Sequence, residues 1–113
     1  MDAPKSWSVT FQDDFDAEFD AFSPDVQDEL LASADALSKL GPVAGRPLVG
    51  SLKNARHPNM KELRFKAHHG AEVWRAAFAF DTTREAVILV AAAKQGVNEE
   101  KFYRDLLVNG QGE

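Results

Sequence analysis

Two short alternating segments, Lys61-Glu62-Leu63-Arg64-Phe65-Lys66 and Val73-Trp74-Arg75-Ala76-Ala77-Phe78-Ala79-Phe80, are joined through His68-His69-Gly70. Successive side chains on a strand point to opposite faces, so the pair reads as a hairpin with two different sides. Leu63 and Phe65 fall with Trp74, Ala76, Phe78 and Phe80 on an apolar side, while Arg64, Lys66 and Arg75 meet on the other. Three cations fixed on a rigid sheet, in a chain of formal charge -5, make a seat for a phosphate or a nucleic-acid backbone.

The charge is unevenly laid out. Residues 1 to 45 hold ten acids and two bases, residues 46 to 75 hold seven bases and two acids, and the remainder holds four bases and six acids. The middle third (Arg46, Lys53, Arg56, Lys61, Arg64, Lys66, Arg75) is therefore a local cationic field, able to steer an anion most effectively at low salt. A chain of 113 residues suffices for one domain with a core and is short for two, so residues 1–113 are expected to form a single domain. No apolar run approaches the length of a membrane span, and the first residues lack the basic and apolar regions of a signal peptide. With no cysteine there is neither a disulfide frame nor a thiolate site, and a cytoplasmic protein without membrane contact is expected.

Around the hairpin the other elements follow from pattern. Trp7, Val9 and Phe11 alternate as a first strand, and Phe15, Phe19 and Phe22 then recur at helical spacing, predicting a short amphipathic helix over residues 12 to 22. Its acids, Asp13, Asp14, Asp16, Glu18 and Asp20, lack the glycine and terminal glutamate of a calcium loop and read as a solvated face. A second helix is capped by Ser23, opened by Pro24 and stopped at Gly41-Pro42, with Val26, Leu30, Leu31, Ala34, Leu37 and Leu40 as its apolar stripe. The two should form a helical hairpin on the apolar side of the sheet. Residues 41 to 60 read as a long connection holding Arg46, Lys53, Arg56 and His57. Ala86 to Ala93 is an almost wholly apolar strand that should be covered on both faces, and Asn98-Glu99-Glu100 caps a final helix carrying Phe102, Tyr103, Leu106 and Leu107. The expected class is α+β: a small antiparallel-rich sheet in the order β-α-α-β-β-β-α.

In order and spacing, Leu52-Lys53, His57-Pro58-Asn59-Met60-Lys61-Glu62-Leu63-Arg64-Phe65, Trp74 to Asp81, Val90-Ala91-Ala92-Ala93-Lys94 and Lys101-Phe102-Tyr103 resemble the RelE/ParE superfamily of bacterial type II toxins, in its HigB-like, phage-related branch. The resemblance runs over roughly residues 5 to 107. It implies a small ribosome-dependent endoribonuclease (an mRNA interferase) that cuts translated mRNA. Its implied partners are the ribosome, mRNA and a cognate helix-turn-helix antitoxin, and no cofactor or metal is implied.

Metal-free RNA cleavage needs a catalyst that aligns the 2′ hydroxyl with phosphorus, moves two protons and stabilises extra charge on the phosphoryl oxygens. Arg64 and Arg75 suit bidentate phosphate contacts and resemble the strand cations of the toxins, so stabilisation of that charge is their expected role. Lys94, and Tyr103 by its likeness to the tyrosine near the scissile site of RelE-type toxins, join them as candidate catalytic residues. Lys53, Arg56, Lys61 and Lys66 are candidate phosphate ligands, and His57, in the cationic loop, is a candidate acid or base. His68 and His69 read as hairpin-tip residues without metal-ligand spacing. Two further readings stand beside the nuclease. The same fold can serve a ParE-like inhibitor of DNA gyrase, or an inactive relic that only binds its antitoxin.

Overall fold

The computed structural model describes residues 7–52 and 60–93. Within them a four-residue strand, β1 (Ser8–Phe11), leads into helices α1 (Asp13–Ala21) and α2 (Pro24–Leu40), followed by strands β2 (Val49–Ser51), β3 (Met60–Ala67), β4 (Glu72–Phe80) and β5 (Glu85–Ala93). The strands form one mixed sheet in the order β1-β5-β4-β3-β2, with β1 parallel to β5 and the other three pairings antiparallel. This is the α+β class expected from the sequence, with one strand more than the expected order contained. That strand is β2, inside the stretch read as an uninterrupted connection. Three residues are too short to display a period of two, and the central glycine weakens the strand signal, so only their pairing with Lys61, Glu62 and Leu63 reveals them. The expected final helix lies outside the described residues.

The helical hairpin forms as its signals dictate. The side chain of Gln12 accepts from the backbone N–H of Asp14 to start α1, and the Ser23 hydroxyl accepts from that of Val26 to start α2. Gln27 donates to the carbonyls of Phe19 and Asp20, satisfying the end of α1 and fixing the turn between the helices. Phe15, Val26, Leu30 and Leu37 then pack on Leu63, Phe65, Ala76, Phe78, Ala86, Ile88 and Ala91, the side of the sheet assigned to the core by strand parity. Phe11, Phe15, Phe19, Phe22 and Trp74 form a continuous run of ring contacts with centroid separations between 4.9 and 6.4 Å.

The other side of the sheet is also buried, as the apolar composition of β5 requires. Leu52, Met60, Ala77, Leu89 and Val90 form a second cluster there. Ala77 opposes Val90 and Phe78 opposes Ile88, which leaves Leu89 as an extra residue in a β-bulge. The bulge reverses the parity of β5, so Ile88 and Ala91 both face the helical hairpin while Leu89 and Val90 both face away from it.

Gly41 ends α2 with φ at 62° and ψ at -150°, a combination essentially confined to glycine, and a Cβ there would lie 2.6 Å from the indole of Trp7. Trp7 is tied to the same helix end: its N–H donates to the carbonyl of Ser38, and its own carbonyl accepts from the Ser38 hydroxyl. Gly41→Ala is therefore expected to lower the unfolding free energy by about 1 to 3 kcal/mol from backbone strain alone. A urea melt is the check, and an unchanged midpoint would mean that the helix end reorganises without cost. At the β4–β5 turn Asp81 accepts from the Thr83 hydroxyl and from the N–H groups of Thr83 and Glu85. The Thr83 hydroxyl bond is the main reason its carboxyl sits below the ordinary carboxylate range. Desolvation opposes the shift, and the two backbone bonds reinforce it.

Candidate functional site

The hairpin of β3 and β4 brings the two arginines of the sequence reading together. Arg64 and Arg75 are direct cross-strand partners, with Phe65 opposite Trp74 and Lys66 opposite Val73 next along the register toward the turn. Both arginines therefore stand on the side of the sheet away from the helical hairpin, together with Lys66. Two guanidinium groups set opposite each other repel, and like charges in that position destabilise a hairpin unless something neutralises them.

Glu62 does so. It lies two residues before Arg64 on the same face, and its carboxylate accepts from Arg64 Nε at 2.6 Å through Oε2 and from Arg75 Nη1 at 3.5 Å through Oε1. The first contact is short and charge-assisted, whereas the second is at the outer limit of a hydrogen bond. The side chains of Glu62 and Arg75 are only 4% and 5% exposed, while that of Arg64 is 32% exposed. This difference divides the roles expected of the pair. Arg75 is enclosed beside Glu62, and Arg64 is the arginine that reaches the surface. Glu62 was absent from the candidates read from sequence, although period-two spacing places 62, 64 and 66 on one face and could have drawn it in.

Beside Arg64 the sheet opens into a shallow depression of about 490 Å³, lined by Pro47, Leu48, Arg64, Phe65, Lys66 and Val73. Its position follows from the shortness of β2, whose pairing with β3 ends at Val49 opposite Leu63, extended by one bond from the Arg64 N–H to the Leu48 carbonyl. Residues 65 to 67 of β3 run on past it. Lys66 is exposed at this rim and suits a diffuse phosphate contact. Lys61 has the opposite parity, sharing the β3 face of Leu63 and Phe65, and it stands across from Phe78 and Ser51 rather than beside Arg64. Lys53, Arg56, His57, Lys94 and Tyr103 lie outside the described residues.

The hairpin tip is more than an exposed loop. His68 and His69 both adopt left-handed backbone, with φ of 56° and 57°. The N–H of His68 donates to the carboxylate of Asp25 at the start of α2, and its ring lies 3.6 Å from Asp25 and 3.4 Å from Glu72. Glu72 also accepts from the indole N–H of Trp74 at 3.0 Å. These contacts tie the β3–β4 turn to the helical hairpin and hold the register that faces Arg64 with Arg75. Among the described residues no helix is long and apolar enough to cross a membrane.

The described residues thus form a mixed sheet with a helical hairpin on one side and an arginine pair braced by a buried glutamate on the other. Residues 17–109 match the family described as Phage derived protein Gp49-like (DUF891), and the chain belongs to that family. Two curated relatives are both from Mycobacterium tuberculosis. The one named "Putative toxin HigB2" is 43% identical over 67 residues, covering 59% of this chain and 33% of that protein. The one named "Putative toxin HigB3" is 35% identical over 85 residues, covering 75% of this chain and 70% of that protein. The chain thus spans about a third of the first relative's length and most of the second's, and the HigB-like, phage-related relationship read from its sequence holds.

Proposed function

We propose that this chain is the toxin of a toxin–antitoxin pair and that it acts by cleaving mRNA on the ribosome. The observation that carries this reading is the cross-strand register of Arg64 and Arg75, with the half-buried Arg64 and the exposed Lys66 side by side on a rigid strand in a chain related to HigB toxins. In the proposed reaction the 2′ oxygen of the RNA bonds to the adjacent phosphorus and the bond from phosphorus to the 5′ oxygen breaks. A proton leaves the 2′ hydroxyl and another is delivered to the departing 5′ oxygen, giving a 2′,3′-cyclic phosphate and a 5′ hydroxyl. Arg64 stabilises the negative charge that grows on the phosphoryl oxygens, and Lys66 holds a neighbouring phosphate. One carboxylate among three cations leaves the face positive, so the local field favours a polyanion even though the molecule is acidic overall. The antitoxin is then the protein that keeps this surface from RNA until it is released.

The test is induced expression in a bacterial host, with growth, mRNA 5′ ends and DNA supercoiling followed together. Ribosome-dependent cuts, reduced at least tenfold by Arg64→Ala, are expected, in line with the loss of one charge-stabilising donor. Growth arrest with altered supercoiling and intact mRNA would replace the nuclease reading with gyrase inhibition. No effect on growth or mRNA would leave antitoxin binding alone.

A further inference from the structure

A guanidinium on an exposed strand samples many rotamers, and a phosphate ligand gains from having it fixed beforehand. Arg64 is held from two directions. On one side Glu62 Oε2 takes its Nε–H at 2.6 Å, from a carboxylate that is itself buried and further anchored by Arg75. On the other side lies Gly50, paired with Glu62 across the β2–β3 register. A Cβ added at Gly50 would stand 2.9 Å from Arg64 Nη2, 3.0 Å from Cζ and 3.2 Å from Nε, so the guanidinium would have to move aside. The three nearest atoms all belong to that one guanidinium. The backbone of Gly50 needs no glycine for its own conformation, since positive φ among the described glycines occurs at Gly41 and Gly70. The missing side chain is therefore what makes room for Arg64.

We infer that Gly50 and Glu62 are positioning residues that form a slot for the Arg64 guanidinium, spending its Nε on Glu62 and setting its remaining donors beside Lys66 at the depression lined by Pro47, Leu48 and Val73. The inference rests on the proposed nuclease reading for its purpose and on geometry alone for its existence. Glu62, with both carboxylate oxygens engaged by guanidinium groups, serves as an orienting anion. Gly50 acts only through the side chain it admits.

The experiment combines a double-mutant cycle in RNA cleavage with NMR observation of the Arg64 Nε–H. Gly50→Ala is expected to leave the thermal midpoint unchanged or slightly raised, because it stiffens the unfolded chain and meets only the end of a flexible side chain. It should shift the Arg64 Nε–H resonance and speed its exchange with solvent, while the amides of β1 and β5 stay in place. Cleavage should fall about ten- to a hundredfold, as for misplacement of a reacting group, and Gly50→Ala should cost nothing further in an Arg64→Ala background. Glu62→Gln, which keeps shape and one acceptor, should move the same resonance. An unmoved resonance, or equal losses from Gly50→Ala with and without Arg64, overturns the slot. If the parent chain cleaves no RNA on ribosomes yet the resonance moves as expected, the slot stands and the nuclease reading falls.

Discussion

Glu62→Ala is expected to lower the unfolding free energy by about 3 kcal/mol, read as a shift of the urea midpoint at constant slope. The carboxylate is 4% exposed and receives both guanidinium groups, so its removal takes away two charge-assisted contacts and leaves the volume of the side chain empty. It also removes the carboxylate that Arg64 and Arg75 share across the β3–β4 register. Arg75 cannot escape to water as Arg64 can, and the larger share of the loss falls there. Glu62→Gln should lose less, because it preserves the packing. The decisive comparison replaces Glu62, Arg64 and Arg75 together by apolar residues of similar size, which is expected to restore most of the stability while abolishing RNA cleavage. A triple variant no more stable than Glu62→Ala would mean that the cluster is needed for folding itself. An unchanged midpoint for Glu62→Ala would show that the arginines are neutralised without it.

Phe15→Ala is expected to cost about 3 to 5 kcal/mol. Phe15 is fully buried at the centre of the aromatic run, edge-on to Phe11 at 5.0 Å and to Phe22 at 6.0 Å. Its loss opens a cavity between α1 and the sheet that the flanking rings, fixed by their own contacts, cannot fill. Phe15→Leu, which restores much of the volume, should recover more than half of that loss. A thermal melt of the three proteins checks the order, and equal stability of the alanine and leucine variants would indicate that α1 undocks instead of leaving a cavity.

How far this molecule could be read from its residues depended on whether a signal was local. Ser23, Pro24 and Gly41 delimit α2 by capping chemistry that needs nothing from the rest of the chain, and α2 spans Pro24–Leu40 accordingly. The parity of β3 and β4 is equally local, so the facing of Arg64 with Arg75 and of Phe65 with Trp74 was legible. β2 was not, because three residues carry no period and acquire strand character only from their partner. The bulge at Leu89 was hidden for a related reason: in an apolar run either parity looks the same. At the site, residue type identified the cations, whereas burial decided what each can do. Arg64 and Arg75 look equivalent in sequence, yet one reaches solvent and the other is enclosed. Glu62, which organises both, could be recognised only once charge pairing was considered along with charge sign.

The parallel pairing of β1 with β5 has a consequence for the birth of the protein. Ser8 to Phe11 pair with Glu85 to Ile88, so among the described residues the first strand waits for the last one of the sheet. Until then the hairpin of α1 and α2 has no complete surface on which to lie. Contacts so distant in sequence make assembly slow and late rather than progressive. The nascent chain therefore closes this edge of its sheet only after β5 has been synthesised, and a substitution that weakens the Val9–Ala86 or Thr10–Val87 pairing acts on the latest step of assembly.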